Sequence, residues 1–488
     1  MKVKLNSTVK GITLGVALVL TSVLWQGCQR NDQEKQTTSE SEVEASSIHS
    51  YLTTSDRSSL LAKDQQALAF NTKATDLLVI EIDSTQQYQT IDGFGYSLTG
   101  GSAYHIQTLT PSTREALLNE LFRWDGTNIG VSYLRVSVGA SDLDDHVFSY
   151  NDLPPGKTDP ELKGFTLEED KKYLIPALKQ ILAINPDIKI MGSPWSAPAW
   201  MKTNGHPKGG SLKPEFYAAY AEYFVRYIQG MAEEGITIDA ITLQNEPENP
   251  KNTPSMLMTS AEQATFVKNN LGPAFEKAGL KTKIVIFDHN CDHPNYPIET
   301  LNDADARKYI DGSAFHLYLG EIEALSEVHQ AHPDKHLYFT EQWTSPQSTF
   351  GDDLRWHTRH LIIGATRNWS RNVLEWNLAA DPEFKPHTDD GGCTTCQGAL
   401  TIDKDAVTRN VSYYIIAHAS KFVRPGAVRI ASTLVGDLYN VAFLNASGEK
   451  VLIVVNDSNE VKRFGIRYNG KVAAAALSPG AVATYTWP

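Results

Sequence analysis

Cysteine is scarce in this chain: four in 488 residues. That rules out a small disulfide-stapled framework, which needs bridges to replace a core it cannot build. A surplus of positive charge is missing too. Lys and Arg total 44 against 57 Asp and Glu, a net charge of −13, with no basic cluster outside the extreme N-terminus. This argues against nucleic acid as a partner and against electrostatic docking on anionic lipid. Beyond residue 24 no apolar run reaches the roughly 20 residues of a membrane span. No internal repeat is evident. The first predicted strand is not followed by a Gly-rich phosphate-binding turn, which argues against a dinucleotide-binding open sheet.

What is present begins with an export segment. Lys2, Lys4 and Lys10 form a basic start, and Gly11 to Leu24 an apolar run of 14 residues, too short to span a membrane and suited to a secretory signal. Trp25-Gln26-Gly27-Cys28 follows. A small residue then Cys resembles a bacterial lipoprotein cleavage site, although Trp25 stands where Leu is usual. The expectation is a signal peptide over 1–27 and lipidation of Cys28. The chain would then be anchored to the outer membrane through that lipid alone; ordinary secretion is the alternative. Residues 28–65, rich in Ser, Thr, Glu and Gln, read as a disordered tether with too little apolar surface to offset chain entropy. Of the remaining cysteines, Cys393 and Cys396 lie in a Gly-rich loop and read as a local disulfide or free thiols, with Cys291 left over. A zinc site would need a fourth ligand. No cofactor or metal is expected.

From residue 91 short β-rich runs alternate with helical stretches. The runs are Ile91–Tyr96, Val131–Val138, Ile188–Trp195, Ala240–Glu246, Lys283–Asp288, Ser313–Tyr318, Leu337–Glu341 and Val373–Leu378. Most are apolar on both faces, as buried parallel strands are. Thr110-Pro111, Thr166–Glu169 and Ser260–Gln263 carry helix-start signals, and Pro214–Glu234 is a long amphipathic segment. Eight alternations predict an α/β fold, a (β/α)8 TIM barrel over 91–420. After it the texture becomes all-β: a sandwich over 421–488, joined by strand or strands from 66–90, including Leu77–Ile82.

Barrel enzymes place functional groups at the C-terminal ends of strands. Glu246 closes Ile241-Thr242-Leu243-Gln244-Asn245-Glu246, and Glu341 closes Leu337-Tyr338-Phe339-Thr340-Glu341. They are 95 residues apart, close to three βα units of about 31 residues for a barrel of about 250. That puts them on strands 4 and 7, facing across the mouth. Two such carboxyl groups are the machinery of glycoside hydrolysis. The default reading of either one is a solvated or salt-bridged carboxylate.

Ordered motifs tip the balance: Asp92-Gly93-Phe94-Gly95, Leu134-Arg135-Val136-Ser137, Gly192 to Lys202, Gln244-Asn245-Glu246-Pro247, His316-Leu317-Tyr318, Thr340-Glu341-Gln342 and Trp376-Asn377-Leu378. With them the chain resembles glycoside hydrolase family 30, the family of glucosylceramidases and β-1,6-glucanases. The resemblance implies a retaining mechanism with Glu246 as acid/base and Glu341 as nucleophile. It also implies that Asp142, Trp195, Asn245 and Trp376 line the sugar subsite, that Arg135 orients the nucleophile, and that His316 and Tyr318 border it. Bland readings stand beside these: a structural ion pair for Arg135, core aromatics for Trp195 and Trp376, a satisfied histidine for His316. Trp200 and Trp343 are divided between distant subsites and the core. The acid-rich stretch Asp142–Pro155 lacks the spaced ligands of a calcium loop and reads as a solvated subsite loop.

Gln342 and the Cys393–Cys396 loop depart from the glucosylceramidase pattern on the aglycone side. The expected function is therefore a retaining endo-β-1,6-glucanase acting on β-glucan, with glucosylceramidase or another β-glucosidase as the alternative. A non-catalytic glycan-binding surface lipoprotein is the distant third, and retention of both glutamates speaks against it.

Overall fold

Eight strands close into a parallel barrel in chain order: Gly93–Ser97, Tyr133–Ser137, Lys189–Ser193, Ala240–Thr242, Lys283–Asn290, Ile310–His316, His336–Glu341 and Ser370–Asn377. They are referred to as barrel strands 1 to 8, and each overlaps one of the runs read from the sequence. The computed structural model of the protein describes residues 47–71 and 76–488. The signal segment, Cys28 and the start of the expected tether lie outside the described residues.

Side-chain alternation sorts the barrel interior into layers. Tyr133, Met191, Ala240, Val285, Ala314, Tyr338 and Leu374, one from each of strands 2 to 8, form a closed apolar cluster. Two residues further along the same face come Arg135, Ser193, Thr242, His316, Thr340 and Trp376, all buried. An apolar floor thus carries a polar layer at the C-terminal end.

Strand 5 breaks this rule. Two residues after Val285 is Phe287, yet Phe287 and Asp288 both take positive φ, 71° and 65°, and the pairing with strand 6 slips at Ala314/Phe315. The bulge turns Phe287 outward onto Tyr296 and Phe315, with ring centroids 4.9 and 5.6 Å away. Asp288 is turned inward instead. Left-handed backbone at such residues costs on the order of 1–3 kcal/mol each and persists where its surroundings over-determine it.

The outer helices follow their caps with two exceptions. Helix Pro111–Phe122 starts after Thr110 with Pro at its first position, and Tyr217–Glu233 follows a 3-10 turn at Pro214–Phe216. The box expected at Ser260 is shifted by one: Thr259 is the cap and Glu262 closes it. Thr166–Glu169 starts no helix. The chain stays in turns until Leu174, because Asp170 is drawn inward to accept the Tyr150 hydroxyl at 2.5 Å.

The second module is a ten-stranded sheet. The long strand Leu78–Thr90 pairs antiparallel with Val428–Ser432 and parallel with Lys462–Tyr468, so the segment before the barrel is built into the C-terminal module. Along Lys450–Asn456, Leu452 and Val454 face the sheet's own core while Val451, Ile453 and Val455 join the barrel's. Burial of both faces welds the modules into one unit.

The tether expectation needs correction. Ser47–Thr53 is a strand, paired antiparallel with Val482–Trp487 from His49↔Thr486 to Thr53↔Val482, and Ala62–Lys63 pairs back onto it. The segment carries few apolar residues, but Ile48 is fully buried and the backbone ladder supplies the rest. Thr53 also holds the buried His418 through its hydroxyl at 2.8 Å.

Candidate active site

The polar layer converges on Asp288. Its Oδ2 accepts hydrogen bonds from Arg135 at 2.7 Å, Thr242 at 2.7 Å and Ser193 at 3.3 Å. Its Oδ1 lies 2.7 Å from the Thr340 hydroxyl and 3.1 Å from His316 Nε2. It is fully buried. Burial alone would push its pKa up, but Arg135 and His316 hold it far below the ordinary carboxylate range.

Arg135 and His316 lead from this hub to the two glutamates. Arg135, fully buried, donates to Glu341 Oε2 and to Asn245 Oδ1, each at 2.7 Å, and to Ser193 at 3.0 Å. Its guanidinium carbon sits 4.8 Å from the Trp195 ring centroid and 5.8 Å from that of Trp376, inside cation–π range. His316 Nδ1 lies 3.3 Å from Glu246 Oε1 and 3.7 Å from Glu341 Oε1. Burial disfavours the imidazolium, but Glu341, Asp288 and Glu246 together raise its pKa to about 9.

The two glutamates differ in what holds them. Glu341 ends strand 7 and takes Arg135 on one oxygen and the Tyr318 hydroxyl at 2.9 Å on the other. Burial raises its pKa above the ordinary value, opposed by His316 and Arg135. Glu246 stands past the end of strand 4 at φ 47°. Its Oε2 accepts from Asn249 at 2.7 Å and Asn252 at 3.3 Å. Burial pushes it up, but the hydrogen bond and charge of His316 bring it down to about 2. In this arrangement the proton of the Glu246–His316 pair rests on His316.

One oxygen each of Glu246 and Glu341, with a His316 nitrogen, lie within 4.8 Å of one another. Such a trio can hold a metal ion, but an imidazolium bonded to Glu246 on one side and Asp288 on the other offers protons, not lone pairs. Carboxyl oxygens that approach this closely fit the roughly 5–5.5 Å spacing of retaining glycosidases better than the roughly 6.5–9.5 Å that leaves room for a water in inverting ones.

The walls are aromatic. Trp195 and Trp376 stack at 5.3 Å and 29° and cluster with Leu143 and Cys396, with Trp343 and Cys393 packed alongside. Cys393 and Cys396 form a disulfide and Cys291 is a buried free thiol. Asp142 is buried against this wall. Its carboxyl is pushed up to about 8 by burial and by the charges of Glu341 and Glu246. The disulfide loop is laced to its surroundings. The Thr388 amide donates to the Asp142 carbonyl at 3.0 Å, and its hydroxyl to the Thr253 carbonyl at 2.6 Å.

All nine residues expected to act together, Arg135, Asp142, Trp195, Asn245, Glu246, His316, Tyr318, Glu341 and Trp376, meet in this pocket. Trp200 does not: its indole N–H is used by Asn151 at 3.0 Å and its ring packs on Phe216. Asp288, Asn249 and Asn252 were missed. Asp288 had one visible signal, a carboxylate closing the apolar run Lys283–Asp288.

A closed (β/α)8 barrel with two carboxyl groups at this spacing defines a two-carboxylate glycosidase. Residues 91–423 match the profile of the glycosyl hydrolase family 30 TIM-barrel domain and residues 426–485 that of the family 30 beta sandwich domain; the chain belongs to that family. It is 35% identical to an endo-1,6-β-D-glucanase of Aspergillus fumigatus, over 82% of this chain and 85% of that one. It is 30% identical to the lysosomal acid glucosylceramidase of Mus musculus, over 86% and 85%. The solved structure of the endo-β1,6-glucanase BT3312 superposes with a TM-score of 0.84 at 37% identity, covering 90% of this chain and 99% of that one.

Proposed function

We propose that this protein is a retaining endo-β-1,6-glucanase with Glu341 as nucleophile and Glu246 as acid/base. The carrying observation is a pair of carboxyl groups with an oxygen of each within 4.8 Å, one group bonded to Arg135 and Tyr318 and the other to His316. Glu341 attacks the anomeric carbon and the bond to the leaving oxygen breaks. The proton held between His316 and Glu246 passes through Glu246 to that oxygen. In the second half a water loses its proton to Glu246 and displaces Glu341, restoring the anomeric configuration. Asn245, fixed by Arg135, is positioned for the sugar 2-hydroxyl, and the two tryptophans for its C–H face. The β-1,6 preference is supported by the likeness to the fungal and BT3312 glucanases.

Incubation with β-1,6-glucan, β-1,3-glucan and glucosylceramide in parallel tests this. A ladder of β-1,6-linked oligosaccharides with retained configuration is expected. Glucose released only from the lipid would overturn the substrate and favour a glucosylceramidase.

We also propose that the chain is exported and lipid-anchored through Cys28. The basic start, the 14-residue apolar run and Gly27-Cys28 support this, as does a disulfide that suits an oxidising compartment. Mass spectrometry of the mature N-terminus in Cys28→Ser against wild type tests it; an unmodified wild-type Cys28 would overturn it.

A further inference from the structure

Behind the Asp142 wall lies a second cavity of about 420 Å³ that is lined by none of the active-site residues. It opens at the C-terminal end of the barrel among the segments that follow strands 1, 2 and 8. The chain passes between the two spaces in three residues: Asp142 faces the charges of the two glutamates, Leu143 packs in the tryptophan wall, and Asp144 lines the cavity. We propose that this cavity binds a saccharide, a glucosyl unit of the β-glucan chain at a distance from the bond being cut; the proposal rests on the glucanase reading above.

Its lining has the two chemistries a sugar needs. The exposed rings of Tyr104 and Tyr173, 41% and 38% accessible, stand edge to face at 5.2 Å and 85°, and His146 packs beside Phe148 at 5.4 Å. These are apolar faces for sugar C–H groups. Polar groups for its hydroxyls are supplied by the carboxyls of Asp144 and Asp170, which are 6% and 4% exposed. Asp144 Oδ2 takes both the amide and the hydroxyl of Ser141, at 2.7 and 2.9 Å. Its Oδ1 takes no hydrogen bond from a described residue, although the carboxylate is buried and lines the cavity. Asp170 spends one oxygen on Tyr150 and leaves the other without a partner among the described residues. One oxygen of each carboxyl group is thus left open to the cavity, placed to meet the hydroxyls of a ligand.

The neighbouring acids already have partners. Asp145 pairs with His146 at 2.5 Å, and Glu169 with Lys172 at 2.5 Å. Gly100 is part of the design: a Cβ there would come within 1.6 Å of Asp144 Oδ1. Tyr104 also borders an adjoining cleft of about 720 Å³ with Thr108, Asp381 and Glu383 on its walls, so a bound chain can continue past the cavity. That favours a polymer over a lone sugar.

The test is the double variant Tyr104→Ala/Tyr173→Ala, read on soluble β-1,6-glucan and on an aryl β-glucoside. Expected is a rise of about fivefold or more in KM for the polymer with kcat/KM on the aryl glucoside unchanged, and recovery in Tyr104→Phe/Tyr173→Phe. In parallel, the Glu341→Gln protein is run through native gels containing β-1,6-glucan, with and without the tyrosine pair. If wild type cleaves the polymer and the double variant has the same KM and the same retardation, the second site is refuted. If wild type does not cleave the polymer, the substrate assignment fails separately. The gels then decide the cavity alone: retardation lost with the tyrosines supports it, and retardation unchanged or absent overturns it.

Discussion

Glu246 and Glu341 are the same residue type at the mouth of one barrel, one past the end of strand 4 and the other closing strand 7, and they are held in opposite ways. Glu341 is gripped by groups that come with rigid strands: Arg135 from strand 2, and Tyr318 just beyond strand 6. Glu246 faces an imidazolium and two asparagines of its own following loop. A guanidinium cannot give up its proton at working pH, so Glu341 is kept as an anion ready to attack. An imidazolium can, so Glu246 has a proton within 3.3 Å that it can borrow and return. Partners, not the carboxyl groups themselves, separate the two roles.

Breaking the Glu341 side should do the most damage. Glu341→Gln is expected to lower kcat on aryl β-glucosides by roughly 10⁴-fold or more, measured by initial rates, with the protein still folded. Glu246→Ala should be selective. Loss of a general acid costs about 10²–10⁴-fold on substrates with poor leaving groups and little on dinitrophenyl glucosides, and azide should restore turnover with a β-glucosyl azide product. Equal slowing of both substrates would reverse the assignment.

Asp288→Asn sharpens the comparison by loosening both sides at once. It retains shape but removes the anion that faces Arg135 and His316. Breaking such a buried pair costs about 3–5 kcal/mol of stability, seen as a lower Tm. The basic limb of the pH profile should move to lower pH, since Asp288 is one of the charges raising His316.

In the wild type that limb should lie near pH 9. Below it the Glu246–His316 pair keeps its proton, and above it the pair is deprotonated and poor leaving groups are no longer assisted. The acid limb belongs to Glu341. Because burial raises its pKa, activity should fall as pH drops toward a midpoint above 4.5, the group's ordinary value. The smallest effect is expected from Cys393→Ser/Cys396→Ser: a rise of a few-fold in KM, about 1 kcal/mol or less, with kcat little changed, because the disulfide loop shapes the wall and touches neither glutamate.

The barrel was legible because strands buried on both faces are continuous apolar runs, and because eight of them alternate with capped helices. The catalytic pair was legible because each glutamate closes an apolar run at the C-terminal mouth of the barrel, where groups from different strands meet. Less was legible where a short-range rule met a long-range partner. The segment after Thr166 looks like a helix start, but Asp170 is pulled away by Tyr150. Ser47–Thr53 looks too polar to fold, yet it is a strand because Val482–Trp487 offers it a ladder.

Asp288 is the sharpest case. Counting by twos from Val285 points Phe287 into the barrel and Asp288 out of it. The sequence alone determined that a carboxylate closes strand 5 and that Arg135 and His316 lie on the inner faces of strands 2 and 6, since alternation is a local property of the chain. Only the tertiary structure decided that Asp288 joins them. A bulge is stable there because two buried cations and three hydroxyls from five other strands repay its strained backbone, and that balance exists only once the barrel is closed.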